Sequence, residues 1–438
     1  MDKLDPQHPQ PVLLTAFRRG RLSRRRSRQV VRHLLTSCTA CRQAMVEPRP
    51  SYDEAFVRSR REVERRQSVL LLERAAAPAL LRDLLAQDPE RQWERVAQEG
   101  RFQTWTLCEL LLDASRDWGF QNPARALELS QLGVDVAMRL DPCVYGETRV
   151  NDLLARAWVA LGNAQRIRSS FREAEESFVQ AESQLRQGTG DPLEKAHLLL
   201  HKASLLGNQQ RFGQAFRLLD RVFAIARRCE DPQLHGRALI TRGFLLGIAH
   251  DSEAAIRYLS EGIRKLDPVS DLRLLVAAHH NLTLYLTESG KYHEALHLLE
   301  SARPLYHQVG DQMSLLRLRW LEGKIAVALG QFPEAEELLR EVRKELIARD
   351  LGFDTALLSL DLADIYARQG RGAEMRRLAE EMIPIFRSRD VHREGLAALL
   401  AFQKAAEMEC VTLGLIRDVS GYLKENRAAA ALRSRELR

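Results

Sequence analysis

The chain has 438 residues, with 66 Lys and Arg against 59 Asp and Glu, 45% hydrophobic and 29% charged residues, and only 15 prolines. This is the composition of an ordered globular chain and excludes a disordered one. No run of about 18 apolar residues occurs, which excludes a membrane-spanning helix. The formal charge of +7 is uneven: residues 1 to 50 carry a net +8, and the rest carry −1. The opening Asp2, Lys3 and Asp5 give no apolar core for a secretory signal. Cys108, Cys143, Cys229 and Cys410 stand singly and form no disulfide framework. The expected location is the cytoplasm, without membrane attachment.

The first predicted elements are short. An apolar run at Leu13, Leu14, Ala16 and Phe17 precedes Ser23, which reads as the N-cap of a second helix. That helix carries Arg24, Arg25, Arg26, Arg28 and Arg32, after Arg18, Arg19 and Arg21. Arginines in a first turn oppose the helix dipole, at about 0.3–1 kcal/mol each. The pattern predicts Val30, Val31, Leu34 and Leu35 on a small core and Arg25, Arg28 and Arg32 on the opposite stripe, facing phosphates or an acidic protein surface.

Cys38 and Cys41 form a Cys-x2-Cys turn after His33, and His8 lies 25 residues before His33. Two thiolates and an imidazole at such spacing can reach one tetrahedral zinc ion, and a segment this short needs a stabiliser beyond its core. His33-x4-Cys38-x2-Cys41 resembles the zinc finger of anti-sigma factors, whose motif is H-x3-C-x2-C with a His or Cys some 25 residues upstream. The resemblance implies a zinc site at His33, Cys38, Cys41 and His8, and a sigma factor or similar transcription component as a partner. The additional residue between His33 and Cys38 requires the helix to end or tighten between them.

Pro48, Arg49 and Pro50 read as a hinge. Beyond it, Tyr52 to Arg66 is a charged helix, and Ser68 to Leu85 is an apolar one broken at Pro78.

From there the sequence repeats. Phe171-x2-Ala174-x3-Phe178-x2-Ala181 recurs as Phe212-x2-Ala215-x3-Leu219-x2-Val222, Ser252-x2-Ala255-x3-Leu259-x2-Gly262, Tyr292-x2-Ala295-x3-Leu299-x2-Ala302 and Phe332-x2-Ala335-x3-Leu339-x2-Val342. A degraded copy follows at Gly372-x2-Met375-x3-Ala379-x2-Met382. The small-residue column steps by 41 and then by 40 at each further copy. Each unit reads as a helical hairpin, in which the small residue lets two axes approach and the residue one turn later fills the groove to the next hairpin. Gly290 and Gly330 stand where a left-handed turn is needed. A divergent hairpin, with Pro123 and Ala126 in its second helix, precedes the array.

With Trp158, Leu161 and Gly162 ahead of Ala174, Phe178 and Ala181, the segment from Ala155 to Phe386 resembles the tetratricopeptide family. The family repeat is about 34 residues, so helices here are longer, as in variants that resemble bacterial regulatory solenoids. HEAT and armadillo repeats share a length of about 40–47, but the Gly, aromatic, Ala, Leu order is the tetratricopeptide one. The expected fold is all-α: a right-handed TPR-like solenoid of helical hairpins with a small N-terminal zinc-finger-like helical head. The expected domains are 1–45 (head), 46–100 (helical connector), 101–387 (repeats) and 388–438 (a cap with Leu396, Leu399, Leu400, Phe402 and Ala405).

Such a solenoid holds a protein on the face of its first helices. Register places Arg156, Asn163, Arg166, His197, Arg237, His280, Arg317 and Lys324 there, a donor-rich set that fits an acidic partner. Val159 stands where a carboxylate clamp for chaperone tails would have Lys.

Phosphate-binding G-x4-G-K-[ST], dinucleotide-binding G-x-G-x2-G and the G-x-S-x-G elbow are all missing. His279 and His280 are adjacent on a helix and point apart, while His293 and His297, at i and i+4, read as ordinary core or surface histidines. The expectation is a non-enzymatic adaptor or regulator. The alternative is a nucleic-acid-binding regulator that uses the arginine stripe, with the solenoid for oligomerisation or sensing.

Overall fold

The computed structural model describes residues 8–18, 22–35, 38–45, 52–119, 122–349, 351–386, 393–408 and 410–433. The hinge expected at Pro48 to Pro50 lies outside them, as do Arg19 and Arg21. The chain divides into two compact units, Met1–Ala75 and Ala76–Arg438.

In the first unit, α1 (Pro11–Arg18), α2 (Arg24–Leu35) and α3 (Thr39–Met45) enclose a small core of Leu14, Val30 and Cys41, with Phe17, Leu22, Leu34, Cys38 and Met45 packed on it. α2 starts directly after Ser23 and stops at Leu35, so it ends before Cys38 as the spacing demanded. One expectation fails. Val31 and Leu35 are exposed (41% and 78%), not part of this core. Two apolar pairs separated by two residues offer two helix faces, and α1 and α3 cover only the one bearing Val30 and Leu34. A second correction concerns α4 (Tyr52–Leu85), which continues through Pro78 where a break was expected. Pro78 and the preceding turn at Arg74 and Ala75 are exposed, so water can satisfy the carbonyl that loses its donor.

In the second unit, α5 (Pro89–Gln98) and a single 3-10 turn at Gly100–Phe102 lead into a row of hairpins. These are α6 (Trp105–Trp118) with α7 (Pro123–Met138), then, after the one-turn α8 (Pro142–Tyr145), α9 (Glu147–Ile167) with α10 (Phe171–Gln187). The row continues with α11 (Pro192–Asn208) and α12 (Phe212–Arg228), α13 (Pro232–Ile248) and α14 (Ser252–Ile263), and α15 (Leu272–Glu288) and α16 (Tyr292–Val309). It closes with α17 (Gln312–Ala328) and α18 (Phe332–Ala348), α19 (Gly352–Gln369) and α20 (Gly372–Phe386), and the terminal pair α21 (Arg393–Glu407) and α22 (Leu413–Arg433). No strand occurs among the described residues.

The repeat columns form the core. Ala174, Ala215, Ala255, Ala295 and Ala335 are all fully buried, Met375 nearly so, and Phe178, Leu219, Leu259, Leu299 and Leu339 lie beneath them. Starts are set by side-chain caps: Asp191 accepts from Leu193 N at 2.8 Å, Asp231 from Leu234 N at 2.9 Å and Asp311 from Ser314 N at 2.8 Å. From α9 to α19 each first helix ends in one left-handed residue, at Ser169, Gln210, His250, Gly290, Gly330 and Gly370. The following amide donates back to a carbonyl five residues earlier, as from Arg211 to Leu206 at 2.8 Å and from Lys291 to Leu286 at 2.9 Å, closing the helix. Leu399 and Phe402 seal the last hairpin together with Ile416, Val419 and Leu423, while Leu400 points to solvent.

First helices pack on one another along the row, α6 on α9, α9 on α11, α11 on α13 and α15 on α17, as well as on their own hairpin partners. Their side forms the inner groove.

Candidate functional site

Two places collect polar side chains. In the head, His8, His33, Cys38 and Cys41 offer one ligand atom each, all within 4.8 Å of one another. His8 Nδ1 lies 3.4 Å from both Sγ atoms, and the two imidazole rings stand edge-on with centroids 5.1 Å apart. Zn–S and Zn–N bonds of about 2.3 and 2.0–2.1 Å at tetrahedral angles put N and S about 3.5 Å apart, so this donor set fits zinc. It is the one such convergence of three or more donors among the described residues.

On the same head Arg25, Arg28 and Arg32 are exposed along α2. Arg28 and Arg32, with Leu22, Ser27, Val31 and Leu35, line an open hollow of about 540 Å³. Here the basic stripe adjoins the two uncovered aliphatic residues.

The second place is the groove. Arg156 on α9 pairs with Glu109 of α6 at 3.3 Å and Glu194 of α11 at 2.8 Å. Arg237 on α13 pairs with Asp271 at 2.9 Å, just ahead of α15. Lys324 on α17 pairs at 2.6 Å with Asp361 of α19, which also accepts from Trp320 Nε1 at 2.6 Å. These three predicted groove cations are neutralised within the fold, each by an acid brought by a neighbouring hairpin. Asn163 and Arg166 bond to each other. His197, His280 and Arg317 make no hydrogen bond or ion pair among the described residues, and His280 Nδ1 is buried without a partner.

Burial shapes the titration. It pushes the His280 imidazole down to about 4, helped by Arg317. It pushes His197 down to about 4 as well, with Arg237, Arg156 and Arg116 adding and Asp231 opposing. Burial also raises Glu194 to about 7, with Arg156 lowering it and Asp152 and Asp191 raising it. Two groove residues escaped the register: Glu194, and His201, whose i, i+4 spacing from His197 on α11 was the available signal.

His293-Glu294-Ala295-Leu296-His297 also spells H-E-x2-H, the run in which metalloproteases hold zinc on one helix face. Here Ala295 is the buried repeat residue, and the three polar side chains are exposed beside an open hollow of about 480 Å³. No further ligand atom converges on them among the described residues.

No family model and no curated protein matches the sequence. Solved structures match the fold. A Rap protein complexed with Competence and Sporulation Factor superposes with a TM-score of 0.53 at 14% identity, over 74% of this chain and 88% of that one. A signal-transduction ATPase with numerous domains from Pyrococcus horikoshii, which carries a tetratricopeptide-repeat sensor, superposes with a TM-score of 0.54 at 12% identity, over 83% of this chain and 53% of that one. At these identities the likeness concerns the fold: the protein is an all-α, TPR-like helical-repeat solenoid. No helix among the described residues is long and apolar enough to cross a membrane.

Proposed function

We propose that this protein is a cytoplasmic, non-enzymatic regulator that holds a protein partner in its solenoid groove, while a zinc-holding head engages a sigma factor or another transcription component. The observation that carries the reading is the groove itself, where His197, His280 and Arg317 make no hydrogen bond or ion pair among the described residues, while Arg156, Arg237 and Lys324 are held in ion pairs. Solenoids of this class use that face to bind proteins. The Rap structure bound to Competence and Sporulation Factor supplies a precedent on a similar fold.

Zinc at His8, His33, Cys38 and Cys41 would fix a head whose core holds few residues. The hollow beside Val31 and Leu35, flanked by Arg28 and Arg32, suits an amphipathic acidic helix of a partner.

The test is affinity capture by the full chain, compared with a His280→Ala/Arg317→Ala variant and an Arg25→Gln/Arg28→Gln/Arg32→Gln variant. A partner lost only with the first variant belongs to the groove, and one lost only with the second belongs to the head. If the second variant instead loses DNA binding that falls steeply with log[salt], the arginine stripe serves nucleic acid and the protein-partner reading of the head fails.

A further inference from the structure

Arg166 stands in the last turn of α9. Unlike Arg156, Arg237 and Lys324, it makes no ion pair among the described residues. Its guanidinium donates only to neutral amides: Nε and Nη2 to Asn163 Oδ1 at 3.1 and 2.9 Å, and Nη1 to Asn208 Oδ1 at 2.8 Å. Of the five N–H donors of the fork, three are used, which leaves one on each Nη. The two asparagines therefore hold the plane of the guanidinium without cancelling its charge. A half-buried cation without a counter-ion is an expensive arrangement, and burial lowers the Arg166 pKa to about 10.

The neighbours add to the imbalance. His201 and His197, one turn apart on α11, make no hydrogen bond among the described residues. The charges acting on His201 come from Arg166 on α9, His197 on α11, Arg116 on α6 and Arg237 on α13, all basic groups. Those acting on His197 are Arg237, Arg156 and Arg116, with Asp231 as the acid. Arg116, Arg156 and Arg237 each already have an acidic partner, in Asp113, Glu109 and Glu194, and Asp271. The uncompensated charge is that of Arg166.

We infer that this part of the groove is an oxyanion site, in which the free Nη donors of Arg166 take a carboxylate from an acidic segment of the partner and His201 and His197 close around it. The inference rests on the groove's holding a protein, and adds what that protein must bring: an Asp or Glu side chain. An anion seated there stabilises the protonated imidazoles, so affinity rises as pH falls toward 5.

The probe is an acetylated, amidated tri-aspartate peptide, titrated into the full-length protein with the His197 and His201 imidazole signals followed by NMR. Tri-asparagine and inorganic phosphate serve as separate arms. The expected result is that tri-aspartate shifts both imidazoles, tri-asparagine shifts neither, and Arg166→Gln weakens tri-aspartate at least tenfold with partial rescue by Arg166→Lys. Arg166→Gln should melt at or above the parent temperature, which separates lost binding from lost folding. Silence toward tri-aspartate, indifference to Arg166→Gln, or a response to phosphate alone overturns the site. A captured partner that ignores Arg166→Gln but needs His280 and Arg317 leaves the groove standing and the oxyanion site refuted. Tri-aspartate binding without any groove-held partner does the reverse.

Discussion

Arg273, at the start of α15, meets Asp117, near the end of α6: Nε lies 3.3 Å from Oδ1. These two first helices belong to hairpins separated by three others, so the row curves enough for its inner edge to meet itself. Arg273 also reaches Asp311 at 3.4 Å. Both members of the Arg273–Asp117 pair are well exposed, and such a pair contributes about 0–1 kcal/mol. A double-mutant cycle of Asp117→Asn and Arg273→Gln should give a coupling under about 1 kcal/mol that shrinks with added salt. A coupling of several kcal/mol would mean that the bridge is a structural clamp.

The left-handed column divides its positions between residue types. Gly290, Gly330 and Gly370 take positive φ without strain, whereas Ser169, Gln210 and His250 adopt φ of 62°, 59° and 62° at the equivalent place. A side chain there costs about 1 kcal/mol. Ser169→Gly, Gln210→Gly and His250→Gly should each raise the thermal midpoint, and Gly290→Ala and Gly330→Ala should lower it by a comparable amount.

Gly162 is the repeat glycine of α9 that faces Phe178 of α10. A Cβ there would lie 2.6 Å from Phe178 Cε1, and Phe178 is fully buried. Gly162→Ala should destabilise by about 1–3 kcal/mol through overpacking, read by urea denaturation. A paired Phe178→Leu should recover part of the loss, which a purely backbone effect would not allow.

The groove histidines make stability depend on pH. Burial holds His201 at about 3 and His197 and His280 at about 4, whereas each ionises near its ordinary value when unfolded. The unfolded chain then binds more protons between about pH 6.5 and pH 4, so stability is full above this window and falls as the pH drops through it. Glu194, held near 7, acts oppositely, since its folded carboxyl keeps a proton that the unfolded chain has released. Three imidazoles outweigh one carboxyl, so the thermal midpoint should drop from pH 7 to pH 5. His201→Gln should flatten that slope, and an unchanged slope would remove His201 from the groove's titration.

Metal removal should act locally. If the head holds zinc, a strong chelator or Cys38→Ala/Cys41→Ala should abolish one zinc per chain by elemental analysis and remove the protection of α1–α3 amides against hydrogen exchange. The repeat unit, whose core consists of the alanine and leucine columns, should keep its protection.

Much of this architecture was legible in the residues. A column of small residues recurring every 40 positions can be buried only if each unit presents the same face, and the structure buries every member from Ala174 to Ala335. Three of the clustered head side chains, His33, Cys38 and Cys41, were legible through spacing, whereas His8 was named only from the resemblance to the anti-sigma zinc finger. The orientation of α2 was not: Val30 with Leu34 and Val31 with Leu35 are equivalent apolar pairs, and only the placement of α1 and α3 selects the first.

Sequence by itself determined the period, the helical hairpin, the turn positions and the closeness of His33, Cys38 and Cys41, because each follows from local spacing along one or two helices. Tertiary structure alone decided which cations in the groove remain charged and open. Register put Arg156, Arg166, Arg237 and Lys324 on one face as equals. The acids that neutralise three of them, Glu109 and Glu194, Asp271 and Asp361, arrive from neighbouring hairpins at distances set by packing, and around Arg166 the described residues supply only amides as hydrogen-bond partners.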